Sequence, residues 1–347
     1  MAAPILTSSL PPKRVALVET THWHAPLYFP ALEAGGIRVV GVVDETGLSG
    51  ATVGRRFGCP VYTDLPALLA AQIVDFAFVF GRHTDMPHLA RILIERRIPF
   101  AIEKPCGIRA ADVEMLADLA DDAGVFVSIP FIFRLSDTYE IIKKETGGTD
   151  LDHASFRFVA GPPRRYLDSG NGWMLDPEIS GGGPLINLGI HFIDLFRLLA
   201  GEPVIAASAD STKHIHALPI EDFISLRLRT ASGKICTLEC GYTFPSDREI
   251  QREWTFSARF GDTYLLSGAD SIAVHSVASD GRGEMRLVPA RHETDDYYPL
   301  FVTRSLEAAF AGSSPLASLR DAASALRIVE AAYRSAGSGG ATVGLAE

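Results

Sequence analysis

The first 34 residues contain no glycine, although the chain of 347 residues has 31. A dinucleotide-binding loop after a first buried strand uses glycine for a tight turn, for close approach to a pyrophosphate and for helix–strand contact. The absence argues against an ordinary loop of that kind. Cysteine is also scarce. Cys59, Cys106, Cys236 and Cys240 are too few and too scattered for a disulfide scaffold, and read as packed thiols in a reducing cytoplasm. Positive charge is in deficit, with 32 Lys and Arg against 42 Asp and Glu and a formal net charge of −10. That disfavours nucleic-acid binding by phosphate neutralisation. No apolar run reaches the ~18 residues of a membrane span. Residues 1–12 lack the basic-then-apolar pattern of a signal peptide. A soluble cytoplasmic protein, with no membrane or nucleic-acid partner, is expected.

What is present is core material: 47% hydrophobic and 21% charged residues describe a globular chain. Its length suggests two domains at about 100–200 residues each. Short apolar runs at 13–18, 37–43, 61–62, 73–80, 100–102 and 125–129 read as strands. Helical patterns at 27–34 (stopping at Gly35-Gly36), 51–57, 65–71, 89–97 and 110–123 alternate with them. This predicts an α/β, doubly wound parallel sheet over residues 1–128. Ligands of such sheets sit beyond the carboxyl ends of the strands. That rule singles out 19–24, Asp44, 81–85 and 103–105.

After about residue 130 the pattern changes. Gly181-Gly182-Gly183-Pro184 opens a helix at 185–199, with proline suited to the first turn. Strand-like runs follow at 204–209, 222–229, 234–242, 253–260 and 271–277, then helices at 300–311 and 318–335. An α+β domain over 129–347 is expected, built on a large, mainly antiparallel open sheet, with the last helix packing back on the first domain. The uncovered sheet face suggests a homodimer or homotetramer.

Three constellations carry chemistry. The spacing Gly-x-Gly-x-x-Gly falls on Glu19, Thr21 and His24. A carboxylate ~5 Å from a phosphate charge, at an effective dielectric of ~20, costs about 3 kcal/mol. Asp44 stands at the right distance downstream to hold a ribose 2′-OH, which would favour NAD over NADP, or is simply a turn residue. In Glu103-Lys104-Pro105, lysine at a strand end is a fixed positive charge or a proton-transfer group; a surface turn is the plain alternative. Asn187, His191 and Asp194 share a helical face, which suits His191 to acid/base work. His22-Trp23-His24 and His214-Ile215-His216 lack a matching carboxylate or cysteine set, so no metal is expected. No Gly-x-Ser-x-Gly elbow is present.

Ile102-Glu103-Lys104-Pro105, Phe131-Ile132-Phe133-Arg134, Trp173-Met174-Leu175-Asp176-Pro177, the triple glycine with His191-x-x-Asp194, and Val329-Glu330-Ala331-Ala332-Tyr333-x-Ser335 occur in this order. Together they resemble the glucose–fructose oxidoreductase / inositol dehydrogenase (Gfo/Idh/MocA) family over nearly the whole chain. The resemblance implies a Rossmann domain, a C-terminal sheet domain, and NAD(P)-dependent hydride transfer at a carbinol of a sugar, cyclitol or related polyol. It implies that Lys104 hydrogen-bonds the reacting hydroxyl and that His191 is the acid/base. Asn187 replaces the family's usual aspartate; an amide orients a neighbour but cannot stabilise imidazolium by charge. Thr20, Thr21, His22 and Trp23 stand where the glycine loop belongs, and Arg82 near a usual proline. With Asp44, Glu103 and Lys104 they form the implied cofactor side. Arg134, Tyr166, Trp173, Asp176 and Asp194 form the implied substrate side. The altered loop and Asn187 also motivate a second reading, a Rossmann-fold binding or regulatory protein that has lost redox function and binds NAD weakly or not at all. A third is non-redox elimination on a tightly held NAD.

Overall fold

A computed structural model describes residues 13–34, 36–246, 251–277 and 281–345. The expectations for residues 1–12 and for Gly35 lie outside the described residues. The first domain runs β1 (Lys13–Val18), α1 (Ala25–Glu33), β2 (Ile37–Val43), α2 (Gly50–Phe57), β3 (Val61–Tyr62), α3 (Leu65–Ala71), β4 (Phe76–Val79), α4 (Met86–Glu95), β5 (Phe100–Ile102), α5 (Ala110–Ala123) and β6 (Val127–Ser128). Its strands pair in the order β3-β2-β1-β4-β5-β6, all parallel. Val15 to Val18 and Phe76 to Val79 are buried throughout. Continuous apolar runs are what strands covered by helices on both faces require. β4 is shorter than the run at 73–80 because Ile73 is exposed and Asp75 turns its carboxylate to the Arg14 backbone N–H and guanidinium. Strand order reverses between β1 and β4, so the crevice where such sheets bind ligands opens over 19–24 and 80–85.

The second domain contains α6 (Asp137–Thr146), β7 (Leu151–Ala160), α7 (Arg164–Asp168), α8 (Pro177–Ser180), α9 (Ile190–Ala200), β8 (Val204–Thr212), β9 (Phe223–Thr230), β10 (Ile235–Gly241), β11 (Arg252–Phe260), β12 (Thr263–Ser267), β13 (Ser271–Val277), β14 (Gly283–Pro289), α10 (Tyr298–Ala311), α11 (Leu319–Gly337) and β15 (Val343–Gly344). Nine strands form one sheet, β14-β13-β12-β11-β7-β10-β9-β8-β15, antiparallel except where β7 meets β10. The central strand β7, β12 and the edge strands β14 and β15 go beyond the strands read from the sequence. β14 is exposed along most of its length and so carries no alternation. In β9, Ile224, Leu226 and Leu228 face the core while Ser225, Arg227 and Arg229 face out. The inner face packs on α9, where the Phe192 ring lies among Phe156, Phe158 and Trp254. The outer face is polar over β10, β7 and β11, where Arg157 bridges Glu239 and Glu253 and Thr237 bonds Ser155, but toward the β12–β14 edge it exposes Leu266, Met285 and Leu287.

α10 and α11 join the two domains. Tyr298 of α10 packs on Tyr28 of α1, and Ser305 bonds Ser128 of β6. α11 lies against α5, with Glu330 accepting the Ala110 N–H, and reaches β8 through Ser335 and the Ala209 N–H. Pro177–Ala200 is long and apolar enough to cross a membrane, but 78% of its most apolar window is buried in the protein, so it is a core element.

Candidate active site

The carboxyl ends of β1 and β5, the start of α9, and the β11 and α10 ends of the second domain enclose a cavity of about 270 Å³. Ile132, Phe133, Phe158 and Phe192 give it apolar walls, while Trp23, Lys104, Arg165, Asn187, His191, Arg252 and Asp295 bring polar groups. Trp23 Nε1, Arg165 Nε and His191 Nδ1 are each buried without a hydrogen-bond partner. Native interiors rarely leave such atoms unpaired, so three on one cavity mark a place for a polar ligand.

Lys104 follows β5 and is buried; its peptide bond to Pro105 is cis. Its ammonium donates to both the backbone carbonyl (2.9 Å) and the side-chain oxygen (2.8 Å) of Asn187. Burial lowers its pKa to about 8 against the pull of Glu103. The Asn187 amide donates to the hydroxyls of Tyr166 and Tyr242 at 2.7 and 2.8 Å. Every polar atom of that side chain is engaged, and Lys104 is held by an uncharged partner.

Asn187 sits in a π-helical turn, Leu185–Gly189, immediately before α9. Such turns are rare and gather at functional sites. Glu221 supports the turn from beneath, accepting from the Gly183 and Leu185 N–H groups and from the Tyr333 hydroxyl. Gly182 has φ 147, and a Cβ there would fall 2.1 Å from the Tyr333 oxygen. The triple glycine therefore serves close packing under the helix. His191, one turn on, meets the ring edges of Phe131 and Phe133. Burial, then the charge of Lys104 and the presence of His24, hold its pKa well below the usual imidazole value, so it is neutral at pH 7.

The β1–α1 turn differs from a glycine loop yet keeps its backbone shape. Glu19 has φ 61, the left-handed conformation the first glycine of such a loop supplies. The N–H groups of Thr20, Thr21 and Trp23 have no partner among the described residues, the state expected of an anion-binding turn at a helix start. Side chains replace the missing glycine contacts. The Thr20 hydroxyl meets Ser49 at 2.8 Å, and the Thr21 hydroxyl donates to Asp44 at 3.2 Å. His22 Nδ1 accepts the His24 N–H, and His24 Nδ1 lies 3.1 Å from the Glu103 carboxylate. Burial lowers the pKa of both imidazoles, so neither adds charge. Burial also raises Glu19 to about 7, against a hydrogen bond from the Glu45 N–H and with help from Asp44, Glu45 and Asp85. The full charge penalty expected of Glu19 therefore does not apply at neutral pH. With open N–H groups, a left-handed first position and a carboxyl that is readily neutral, the turn fits a dinucleotide pyrophosphate.

Other expected residues take different roles. Asp44 is 3% exposed, and its oxygens accept from the N–H groups of Thr46, Gly47, Ser49 and Gly50 and from three hydroxyls. Burial alone would raise it, but these bonds hold it below the usual carboxylate range. It builds the β2–α2 turn and has no oxygen turned to a ribose. Arg134 and Asp194 do not line the cavity. They form a two-pronged ion pair (2.8 and 2.6 Å), with Asp321 also on Arg134. Burial opposes both charges; the pairing outweighs it at Arg134, whose pKa rises, but not at Asp194, whose pKa also stays raised, and the two-pronged contact ties α9 to α11. Asp194 shares the helical face of His191 but lies one turn farther along, beyond the cavity. Asp176 is an exposed N-cap that accepts the Glu178 N–H. Trp173 packs on His22 and His83 between the domains, with its indole N–H on Asn171. Tyr166 is buried behind Asn187 and acts through it. Arg82 is exposed, and its carbonyl starts α4. Its neighbour His83 is the buried one, bonded to the Ser180 carbonyl at 2.7 Å. Sequence reading missed Tyr242, Arg165, Arg252 and Glu221. Each is brought in by the second sheet or its loops, and none has a local motif.

Residues 16–131 match the family model for an oxidoreductase family with an NAD-binding Rossmann fold, and residues 147–260 the GFO/IDH/MocA C-terminal domain. D-xylose 1-dehydrogenase (NADP(+)) 2 of Haloferax volcanii is 23% identical, over 90% of this chain and 94% of its own. D-glucoside 3-dehydrogenase of Escherichia coli is 24% identical over 87% and 88%. Among solved structures, GenD2 from gentamicin A biosynthesis in complex with NAD superposes with a TM-score of 0.83 at 20% identity, covering 100% of both chains. Levoglucosan dehydrogenase with NADH and levoglucosan also reaches 0.83, at 16% identity, over 96% of this chain and 100% of that one. On its two domains, their order and the residues that meet between them, the chain belongs to the Gfo/Idh/MocA oxidoreductase family.

Proposed function

We propose that the protein is a nicotinamide-dependent oxidoreductase acting on one carbinol of a sugar, cyclitol or related polyol. The observation that carries this reading is the cavity itself, where unpartnered Trp23 Nε1, Arg165 Nε and His191 Nδ1 surround the reach of Lys104. A polyol supplies several hydroxyls to such a set of polar atoms. The β1–α1 turn, with the N–H groups of Thr20, Thr21 and Trp23 unpaired among the described residues, would hold a dinucleotide, which when bound would supply the hydride acceptor or donor. The Lys104 ammonium holds the reacting oxygen and balances the negative charge that builds on it. Neutral His191 takes the hydroxyl proton, and in the reverse direction returns it. Asn187 keeps Lys104 in place without adding a charge.

NAD is favoured over NADP by charge rather than by a ribose contact. Asp44 is ionised at the end of β2, where its charge would repel a 2′-phosphate. The binding or regulatory alternative without redox function finds no support. The two curated relatives named above are dehydrogenases by name, and Lys104 and His191 still meet at one cavity. Non-redox elimination on a held cofactor has no observation in its favour. Four free thiols suit a reducing cytoplasm. Assembly into a homodimer or homotetramer would use the outer sheet face, where Leu266, Met285 and Leu287 are exposed.

Titration of the purified protein with NADH, followed by fluorescence, and a screen of polyol oxidation with NAD test the reading. Saturable binding and turnover of at least one polyol are expected. No binding at millimolar cofactor would refute it.

A further inference from the structure

Arg165 is out of place in a pocket built only for a neutral polyol. It stands on α7 and lines the cavity. Its guanidinium lies over the rings of Tyr166 and Tyr242, 4.9 and 5.4 Å from their centroids, and one terminal nitrogen donates to the Tyr166 hydroxyl at 2.9 Å. Nε is shielded from solvent and has no acceptor. Among the described residues no carboxylate comes within ion-pair distance of it. The neighbouring cavity arginine, Arg252, does have one in Glu293, and Asp295 acts on Arg165 only from farther away. Shielded charges in proteins are normally paired, and a guanidinium is shaped to grip a two-oxygen anion. The stacked tyrosine rings hold the group in one orientation before anything binds.

We propose that Arg165 is an anion subsite and that the substrate is a monosaccharide acid, its carboxylate on Arg165 while the carbinol to be oxidised lies at Lys104 and His191. The inference rests on the dehydrogenase reading and narrows its substrate class. The fold supplies a measure of the separation between the two ends. Arg165 bonds Tyr166, Tyr166 bonds Asn187, and Asn187 bonds Lys104, so three hydrogen bonds in series link them. A cavity of about 270 Å³ has room for a single sugar ring between Arg165 and Lys104. A sugar phosphate shares the chemistry of the anion, and the assay separates the two.

The test compares kcat/KM of the wild-type protein with NAD for hexuronates and aldonates, for hexose phosphates, and for the parent neutral sugars. A charge-assisted pair exceeds a neutral hydrogen bond by enough to favour the acid by roughly tenfold. In Arg165→Gln and Arg165→Lys the acid-to-neutral ratio falls at least as far, through KM. A wild-type preference for neutral sugars, or a ratio that Arg165→Gln leaves unchanged, overturns the inference while the dehydrogenase reading stands. A preference for phosphates corrects the carboxylate assignment. If no sugar is turned over, that reading fails separately. Equilibrium binding of glucuronate against glucose then decides the subsite, with glucuronate selectivity lost in Arg165→Gln expected and equal or absent binding refuting it.

Discussion

Glu19→Gln isolates the most unusual feature of the cofactor turn. An ionised carboxylate beside a pyrophosphate costs about 3 kcal/mol, roughly two decades of affinity. Burial places this carboxyl at about 7 instead, so the neutral form is half populated at pH 7. If the dinucleotide accepts only neutral Glu19, its apparent dissociation constant grows as one plus ten to the power (pH − 7). The penalty is then about twofold at pH 7, about tenfold at pH 8 and about a hundredfold at pH 9. Glu19→Gln removes the carboxylate and should abolish this slope. At pH 7 it gains only about twofold, where a fully ionised carboxylate would give about a hundredfold. NADH titration by fluorescence between pH 6 and 9 reads both curves. Calorimetry in buffers of different ionisation enthalpy should find uptake of about half a proton at pH 7 in the wild type and less in the variant. Lys104 also titrates in this range, so the difference between the two proteins, not either curve alone, is the measurement. Parallel curves, or a wild-type curve flat across the range, would refute the reasoning.

The same shift bears on stability. Glu19's folded pKa is raised above its free value of 4.5, so its contribution is fully present below pH 4.5 and declines as pH rises through about 7. Denaturant midpoints of Glu19→Gln should lack that component of the decline. Asn187→Asp gives Lys104 a charged partner, so the limb of the kcat/KM profile that reports Lys104 should move up from about 8 by roughly one unit; an unmoved limb contradicts the assignment. Lys104→Met should lower kcat by about 10²–10⁴-fold while NADH still binds, and near-normal turnover would remove it from the chemistry. Glu221→Ala strips the acceptor from two N–H groups and a hydroxyl beneath the π turn; at about 1–3 kcal/mol per buried unpaired group, a loss of roughly 3–5 kcal/mol in denaturant unfolding is expected.

Much of the fold was written in local pattern. β1 and β2 carry uninterrupted apolar runs that only a doubly covered sheet accommodates, and α5 ends at Gly124, whose φ of 64 suits the stop. The same logic put Lys104 at a strand's carboxyl end and His191 on a helix; only the family resemblance brought the two together. Partnership and charge state were not legible, because they depend on burial and on groups far away in the chain. Lys104 meets Asn187 across 83 positions, and Arg134 meets Asp194 across 60. Spacing put Asp194 on the face of His191 but could not say that a guanidinium from another segment waits one turn beyond the cavity. Asp44 looked free for a ribose until its own turn filled both oxygens. The missing glycines were plain from the sequence, and they suggested a damaged cofactor loop. The tertiary structure adds what the sequence hid: a left-handed Glu19, side-chain ties from Thr20 and Thr21, and a carboxyl that burial makes easy to neutralise. Residue order dictates which strands and helices form; only the fold sets the dielectric and the neighbours that decide whether a carboxylate repels a phosphate.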